Sequence, residues 1–211
     1  MLGRLLAPLQ SPGPDAWAAL HQFAAGIEGA RVVSDRGAAL VLAPVGERWT
    51  CRVGTWERVA LGRGTGVRMD YTPRRPYDLR IARREDAGGI FPVGVRPWAT
   101  ERFQFVTSDE TVTAAVLRQE AFSSALAAVL EMRGVRVFEV FPPRRLREFY
   151  RRSKVVSRVR IRVEGAYPTV ARPGDGGEAL DADALRRIYL LFVEALAVLR
   201  REGVVSDTPP P

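Results

Sequence analysis

WTCRVGTWERVALGRGTGVRMDY, residues 49–71, decides the fold class. Trp49, Cys51 and Val53 alternate with Thr50 and Arg52, and Val67, Met69 and Tyr71 alternate with Arg68 and Asp70. A period of two marks strands with one covered face, because successive side chains of a strand point to opposite sides. The glycines at 54, 62, 64 and 66 fall between the two runs, where turns need positive φ. The stretch therefore reads as an antiparallel strand pair, with Gly62 to Gly66 as its flexible turn.

The same period extends outward. Tyr77, Leu79 and Ile81 alternate with Asp78 and Arg80, and Pro73 and Pro76 separate this run from the previous one. Residues 30–85 read as a meander of four to six strands. Upstream, Trp17, Leu20, Phe23, Ala24 and Ile27 make one apolar stripe at helical spacing, predicting a helix over 15–28 stopped by Gly29. Downstream, residues 87–101 read as a long apolar loop, a strap over the sheet or a partner-binding segment. A strand at 103–106 runs into Ser108, the expected N-cap of a helix over 109–133. That helix is one piece, or two in line with a weak point near Gln119. Residues 135–141 form the next strand, closed by Pro142 and Pro143. A last helix spans 181–202, with Asp181 as N-cap. Leu190, Leu191, Val193 and Val198 widen its apolar face beyond one stripe, which fits deep burial or a homo-oligomer contact.

Segregated strands and helices give α+β. The expected architecture is a meandering antiparallel β-sheet packed against an N-terminal helix, a central long helix or helix pair, and a C-terminal helix. Residues 1–13 are expected as a loose arm, 14–205 as one domain and 206–211 as a disordered tail. Trp17, Phe23, Trp49, Val67, Leu79, Phe105, Val116, Leu126, Val137, Ile161, Phe192 and Leu196 are expected in the core. In GTWERVALGRGTGVRMDY, YDLRI and FQFVTSDE the chain resembles uncharacterised bacterial α+β domains from GC-rich genomes. The resemblance covers roughly residues 50–165 and implies a fold, but no activity, ligand or site residue.

Composition excludes more than it assigns. The 46% hydrophobic and 27% charged fractions are those of a globular protein. No apolar run approaches the ~20 residues that span a bilayer. The opening MLGRLLAPLQSPGP lacks a signal-peptide pattern, so a cytoplasmic location is expected. Cys51 is the one cysteine and His21 the one histidine. A Ser-His-Asp triad would have to use His21, and a zinc site of the usual ligands cannot be assembled. Cys51 sits mid-strand, as a small buried hydrophobe does. Gly62-Arg63-Gly64-Thr65-Gly66 lacks the helix that a phosphate loop opens. Asp175, Glu178, Asp181 and Asp183 lack the spacing of a calcium loop. No catalytic residue, metal ligand or cofactor is assigned. A non-enzymatic binding role is expected, with a carboxylate-dependent enzyme as the minor alternative.

The one pointed feature is RRLREFYRRSKVVSRVRIR, residues 144–162, with nine basic residues against Glu148. Its net +8 equals that of the whole chain, so the remainder is neutral. Lys154 is the only lysine; elsewhere the positive charge is arginine, the better bidentate partner of phosphate. Residues 144–153 suit an amphipathic helix with Leu146, Phe149 and Tyr150 on one face. Residues 155–163 alternate, with Val159, Ile161 and Val163 inward and Arg158, Arg160 and Arg162 outward. The candidate binding set is Arg144, Arg145, Arg147, Arg151, Arg152, Lys154, Arg158, Arg160 and Arg162. Its partner is a nucleic acid or other polyanion, an acidic protein, or a membrane surface. Against these stands a solvated sheet face whose arginines pair with Asp or Glu on neighbouring strands. Loop 87–101 and helix 181–202 are the other candidate interaction surfaces.

Overall fold

The computed structural model describes residues 14–35, 38–58, 62–75, 77–84, 98–132, 135–141, 159–165 and 181–208. Among them, four helices cover one face of an antiparallel sheet, an α+β arrangement. The strands are β1 (Arg31–Asp35), β2 (Ala38–Val45), β3 (Trp49–Arg58), β4 (Gly62–Tyr71), β5 (Leu79–Arg83), β6 (Trp98–Ala99), β7 (Phe103–Thr107), β8 (Val135–Phe141) and β9 (Val159–Gly165). The helices are α1 (Pro14–Ala25), α2 (Glu110–Leu117), α3 (Glu120–Leu130) and α4 (Ala182–Arg201).

The sheet order is β1-β2-β3-β4-β9-β8-β5-β7-β6. Strands β1 to β4 form the expected meander. The chain then passes over two sheet positions to lay down β5, and β9 and β8 occupy those positions later. Strand β5 pairs antiparallel with both β7 and β8, so α2 and α3 carry the chain across β5 between two parallel strands.

Alternation along the strands sends one set of side chains toward the helices. Val41, Ala43 and Val45 of β2, Cys51 and Val53 of β3, Met69 and Tyr71 of β4, Leu79 and Ile81 of β5, and Phe138 and Val140 of β8 are all buried there. Helix α4 lies at the centre of this layer and packs against both α1 and α3. Phe138 meets Phe122 of α3 edge-on at 5.8 Å and Phe192 of α4 at 6.3 Å, geometry that aromatic quadrupoles favour. Tyr189 of α4 donates its hydroxyl to the carbonyl of Pro44, fixing the helix over β2.

The breadth of α4's apolar face is used within the chain. Leu191 and Val198 are buried with Leu185, Ile188, Phe192 and Leu199, whereas Leu190 is half exposed. Asp181 caps the helix as expected, accepting a bond from the Ala184 amide. At its other end the Val204 amide bonds to the Leu199 carbonyl and the Gly203 amide to the Arg200 carbonyl. With Gly203 at φ +68°, this is a Schellman stop, closed by the apolar pair Val204 and Leu199. The chain beyond it is held: the Arg74 amide bonds to Val204, the Ser206 amide to Thr72, and Asp207 pairs with Arg200 at 2.6 Å. Arg200 lies 4.6 Å over the ring of Trp49.

Several local expectations are corrected. Asp109, not Ser108, caps α2: its carboxylate accepts from the Val112 amide, while the Ser108 hydroxyl accepts from the Asp78 amide. Of the two alternatives for the central helical region, the structure has two helices, separated at the expected weak point where Gln119 is the extended N-cap of α3. Helix α1 ends at Ala25, and Gly29 at φ +76° turns the chain four residues later. Gly62, Gly64 and Gly66 lie inside β4, paired with Arg58, Trp56 and Gly54, because a glycine offers the ladder the same amide and carbonyl as any residue. Trp98 and Ala99, placed in the long loop, form the short edge strand β6. Trp17 and Phe105 are only partly buried, at the rim of the core. Among the described residues, no helix is long and apolar enough to cross a membrane.

Candidate functional site

Among the described residues, all four helices lie on one face of the sheet, and the second face is of mixed character. Its β5–β8 half is closed: Ala82, Val137 and Glu139 are buried yet lie outside the helix-side cluster. Toward β3 and β1 it is open, with Thr50, Arg52 and Arg31 exposed.

One cross-strand row of this face links seven ladders of the sheet. Arg31 of β1 is the register partner of Leu42, Leu42 of Arg52, and Arg52 of Arg68. Arg68 is opposite Arg162, Arg162 opposite Glu139, Glu139 opposite Arg80, and Arg80 opposite Val106. Five arginines and one glutamate thus share a row, three of the arginines (Arg52, Arg68 and Arg162) on consecutive strands. Directly opposed residues of antiparallel strands stand about 4.5–5.5 Å apart at Cα, and like charges placed so are destabilising. Two unit charges 4 Å apart repel by about 1 kcal/mol in bulk water and about 4 kcal/mol at the effective dielectric of a protein surface. A row of this kind is stabilised by whatever anion lies against it.

Neighbouring positions carry the counter-charges. Asp70 is opposite Arg160, an opposite-charge pair of the sort a solvated face uses. Glu139 faces Arg162 on one side and Arg80 on the other, and Arg80 Nε reaches its Oε1 at 2.6 Å. Gly54 and Gly66 face each other in the next pair on the same side of the sheet, with Glu164 opposite Gly66.

Of the residues expected from sequence, Arg160 and Arg162 have described backbones in β9, while Arg144, Arg145, Arg147, Arg151, Arg152, Lys154 and Arg158 lie outside the described residues. Ile161 is in register with Met69 and Val140, both fully buried, as its inward phase requires. Arg52 and Arg68 escaped sequence reading. Their signal was present in the polar phase of residues 49–71, but only the pairing of Cys51 with Met69 sets them side by side.

Other candidates have settled places. Cys51 is a free, buried thiol pushed up to about 12 by burial, which removes its thiolate chemistry. His21 stacks on Trp17 at 5.7 Å on the exposed side of α1. Among the described residues, no group of three or more His, Cys, Asp or Glu is placed to hold a metal ion. Asp183 pairs with Arg186 at 3.2 Å. An open cavity of about 500 Å³ is lined by Arg83, Arg84, Glu101, Arg102, Phe103 and Glu131, and Arg102 spends its charge on Glu131 at 2.6 Å.

No protein-family model matches this chain, and no curated protein does. Among solved structures it is similar to the crystal structure of the mycobacterial trehalose monomycolate transport factor A, TtfA. The two share 10% sequence identity over 86% of this chain and 74% of that one, with a TM-score of 0.33. A likeness of that size bears on neither fold nor function. The arginine row therefore stands on its own geometry.

Proposed function

We propose that this chain is a binding module rather than an enzyme, and that its open sheet face engages a polyanion, with nucleic acid the first class to test. The observation that carries this reading is the run Arg52, Arg68 and Arg162 on three adjacent strands. Like charges so placed oppose folding, and that cost is offset when phosphates lie across them. Of the basic stretch 144–162, Arg160 and Arg162 lie in β9, which pairs with β4.

A salt titration of the full chain on mixed-sequence duplex and single strand tests it. Affinity is expected to fall linearly in log–log form with salt, because displaced counterions drive such binding. Replacing Arg52, Arg68 and Arg162 by Gln is expected to flatten that slope by up to ~3 phosphate contacts, with little preference for sequence. Absence of binding to either probe at low salt would remove the nucleic-acid reading. Loss of an acidic protein partner in the same variant, with nucleic-acid retention unchanged, would transfer the face to protein recognition.

A further inference from the structure

We infer that the open cavity beside the β6–β7 turn binds a small zwitterion of the free amino-acid class, its carboxylate on Arg84 and its ammonium on Glu101. The site shares no residue with the arginine row and does not depend on the polyanion reading.

Three elements wall this cavity. Strands β6 and β7 are joined by a tight turn: the Thr100 amide bonds to the Phe103 carbonyl at 2.8 Å, and the Phe103 amide to the Thr100 hydroxyl at 3.1 Å. Glu101 and Arg102 are the two residues at its tip. The Arg84 amide bonds to the Arg102 carbonyl at 3.1 Å, which ties the end of β5 to the turn. Across the opening, Arg102 reaches Glu131, the C-cap of α3, at 2.6 Å. The cavity of about 500 Å³ between these elements falls within the roughly 300–1,000 Å³ of small-molecule pockets.

Charge decides the ligand class. Three arginines and two glutamates line the cavity. Arg102 and Glu131 neutralise each other, and Arg83 has a partner of its own. Arg84 and Glu101 are both exposed, and among the described residues neither side chain has a hydrogen bond or an ion pair. They line one cavity with opposite sign and do not pair with each other. An anion alone would meet the like charge of Glu101, and a cation alone that of Arg84. A ligand with one charge of each sign satisfies both. A carboxylate fits the planar fork of an arginine, and an ammonium donates to a carboxylate. Arg84 is bonded to the residue next to Glu101, so the two charges are neighbours across the turn. That favours an α-amino acid, whose two charges share one carbon, over a longer zwitterion. Phe103 packs against the core and also lines the cavity, supplying an apolar wall for a large apolar or aromatic side chain.

The test titrates the full chain by calorimetry with L-phenylalanine, with N-acetyl-L-phenylalanine, which lacks the ammonium, and with L-phenylalanine amide, which lacks the carboxylate. L-phenylalanine is expected to bind one to one and at least about tenfold tighter than either capped form. Arg84→Gln is expected to erase the preference over the amide, and Glu101→Gln the preference over the N-acetyl form. Both positions are exposed, so both variants are expected to fold, as circular dichroism would check. The Arg52, Arg68, Arg162 triple Gln variant is expected to bind L-phenylalanine as the wild type does. An N-acetyl form that binds as tightly as the free amino acid would overturn the inference, leaving an anion site only. Binding unchanged in both single variants would also overturn it, since the site would lie elsewhere. So would a Kd for L-phenylalanine weaker than about 10 mM. None of these outcomes bears on duplex binding by the sheet face.

Discussion

Arg80 Nε stands 2.6 Å from Glu139 Oε1, across the β5–β8 ladder in which the two are register partners. Glu139 is buried, whereas the Arg80 side chain keeps about a third of its surface in water. Glu139 also ends the run Arg52, Arg68 and Arg162, because it is the register partner of Arg162 on its other side. One ion pair thus joins β5 to β8 and interrupts the arginines of the row.

Arg80→Ala leaves a buried carboxylate without this partner. Breaking a buried pair one-sidedly costs about 3–5 kcal/mol; because Arg80 is partly solvated, a smaller loss of about 2–3 kcal/mol is expected in urea unfolding. The double variant Arg80→Met, Glu139→Leu removes both charges and is expected to be less damaging than Arg80→Ala. A double variant that is more damaging would show that the pair itself, rather than the orphaned carboxylate, carries the stability.

Leu190 and Leu191 are neighbours on α4 with opposite surroundings, 50% exposed and fully buried respectively. Leu191→Ala is expected to cost about 2–5 kcal/mol through lost burial and a residual cavity. Leu190→Ala, at a solvated position, is expected to stay within about 1 kcal/mol. Equal losses in thermal unfolding would mean that Leu190 is covered in solution, by a second copy or another partner.

Local signals were legible in the sequence and non-local ones were not. The Asp181 cap, the weak point at Gln119 and the alternation of residues 49–53 and 67–71 depend on neighbours a few residues away, and each is found where expected. The insertion of β9 and β8 between β4 and β5 depends on pairing across some ninety residues, and no periodicity records it. For the same reason sequence directed attention along residues 155–163, to Arg158, Arg160 and Arg162, whereas the structure aligns Arg162 across strands with Arg68 and Arg52. Even the nearer error at Ser108 is one of competition. Both Ser108 and Asp109 are good caps, and the tertiary bond from the Asp78 amide claims the serine.

The phenol of Tyr77 is buried at the start of α2, 2.8 Å from the Thr113 hydroxyl, which in turn lies 2.7 Å from that of Thr107. Burial pushes its pKa up to about 12, against partial relief from the hydrogen bonds to Thr113 and Thr107. Cys51 is pushed up to about 12 and Tyr71 well above its ordinary value, in both cases chiefly by burial. A raised pKa for an acid means that the folded chain favours the neutral form. The contribution is fully present below the unfolded pKa and is lost as pH rises through the folded one. Stability is therefore expected to fall from about pH 9, where the unfolded thiol ionises, through pH 12, with the tyrosines joining from about pH 10. Tyr77→Phe is expected to reduce the loss above pH 10 while costing only about 1 kcal/mol at neutral pH, since Thr113 retains Thr107. An alkaline profile identical to that of the wild type would exclude Tyr77 from the transition.

Arg52, Arg68 and Arg162 give the arginine row a signature in stability as well as in binding. Like charges on adjacent strands oppose folding, so Arg68→Gln, at the centre of the three, is expected to raise stability by about 0.2–1 kcal/mol in low salt. Added sodium chloride should stabilise the wild type more than the variant, because screening relieves repulsion that the variant no longer has. A ligand that binds only the folded chain adds RT ln(1 + [L]/Kd), about 2.7 kcal/mol at a hundredfold excess over Kd. Mixed-sequence duplex at constant ionic strength should therefore raise the unfolding midpoint of the wild type and leave that of the Arg52, Arg68, Arg162 triple Gln variant nearly unchanged. The signs of the two experiments are opposed: the variant is the more stable protein without ligand and the less responsive one with it. A variant destabilised in low salt would mean that Arg68 is held by partners of its own, and the row would then be a paired surface rather than a site awaiting an anion.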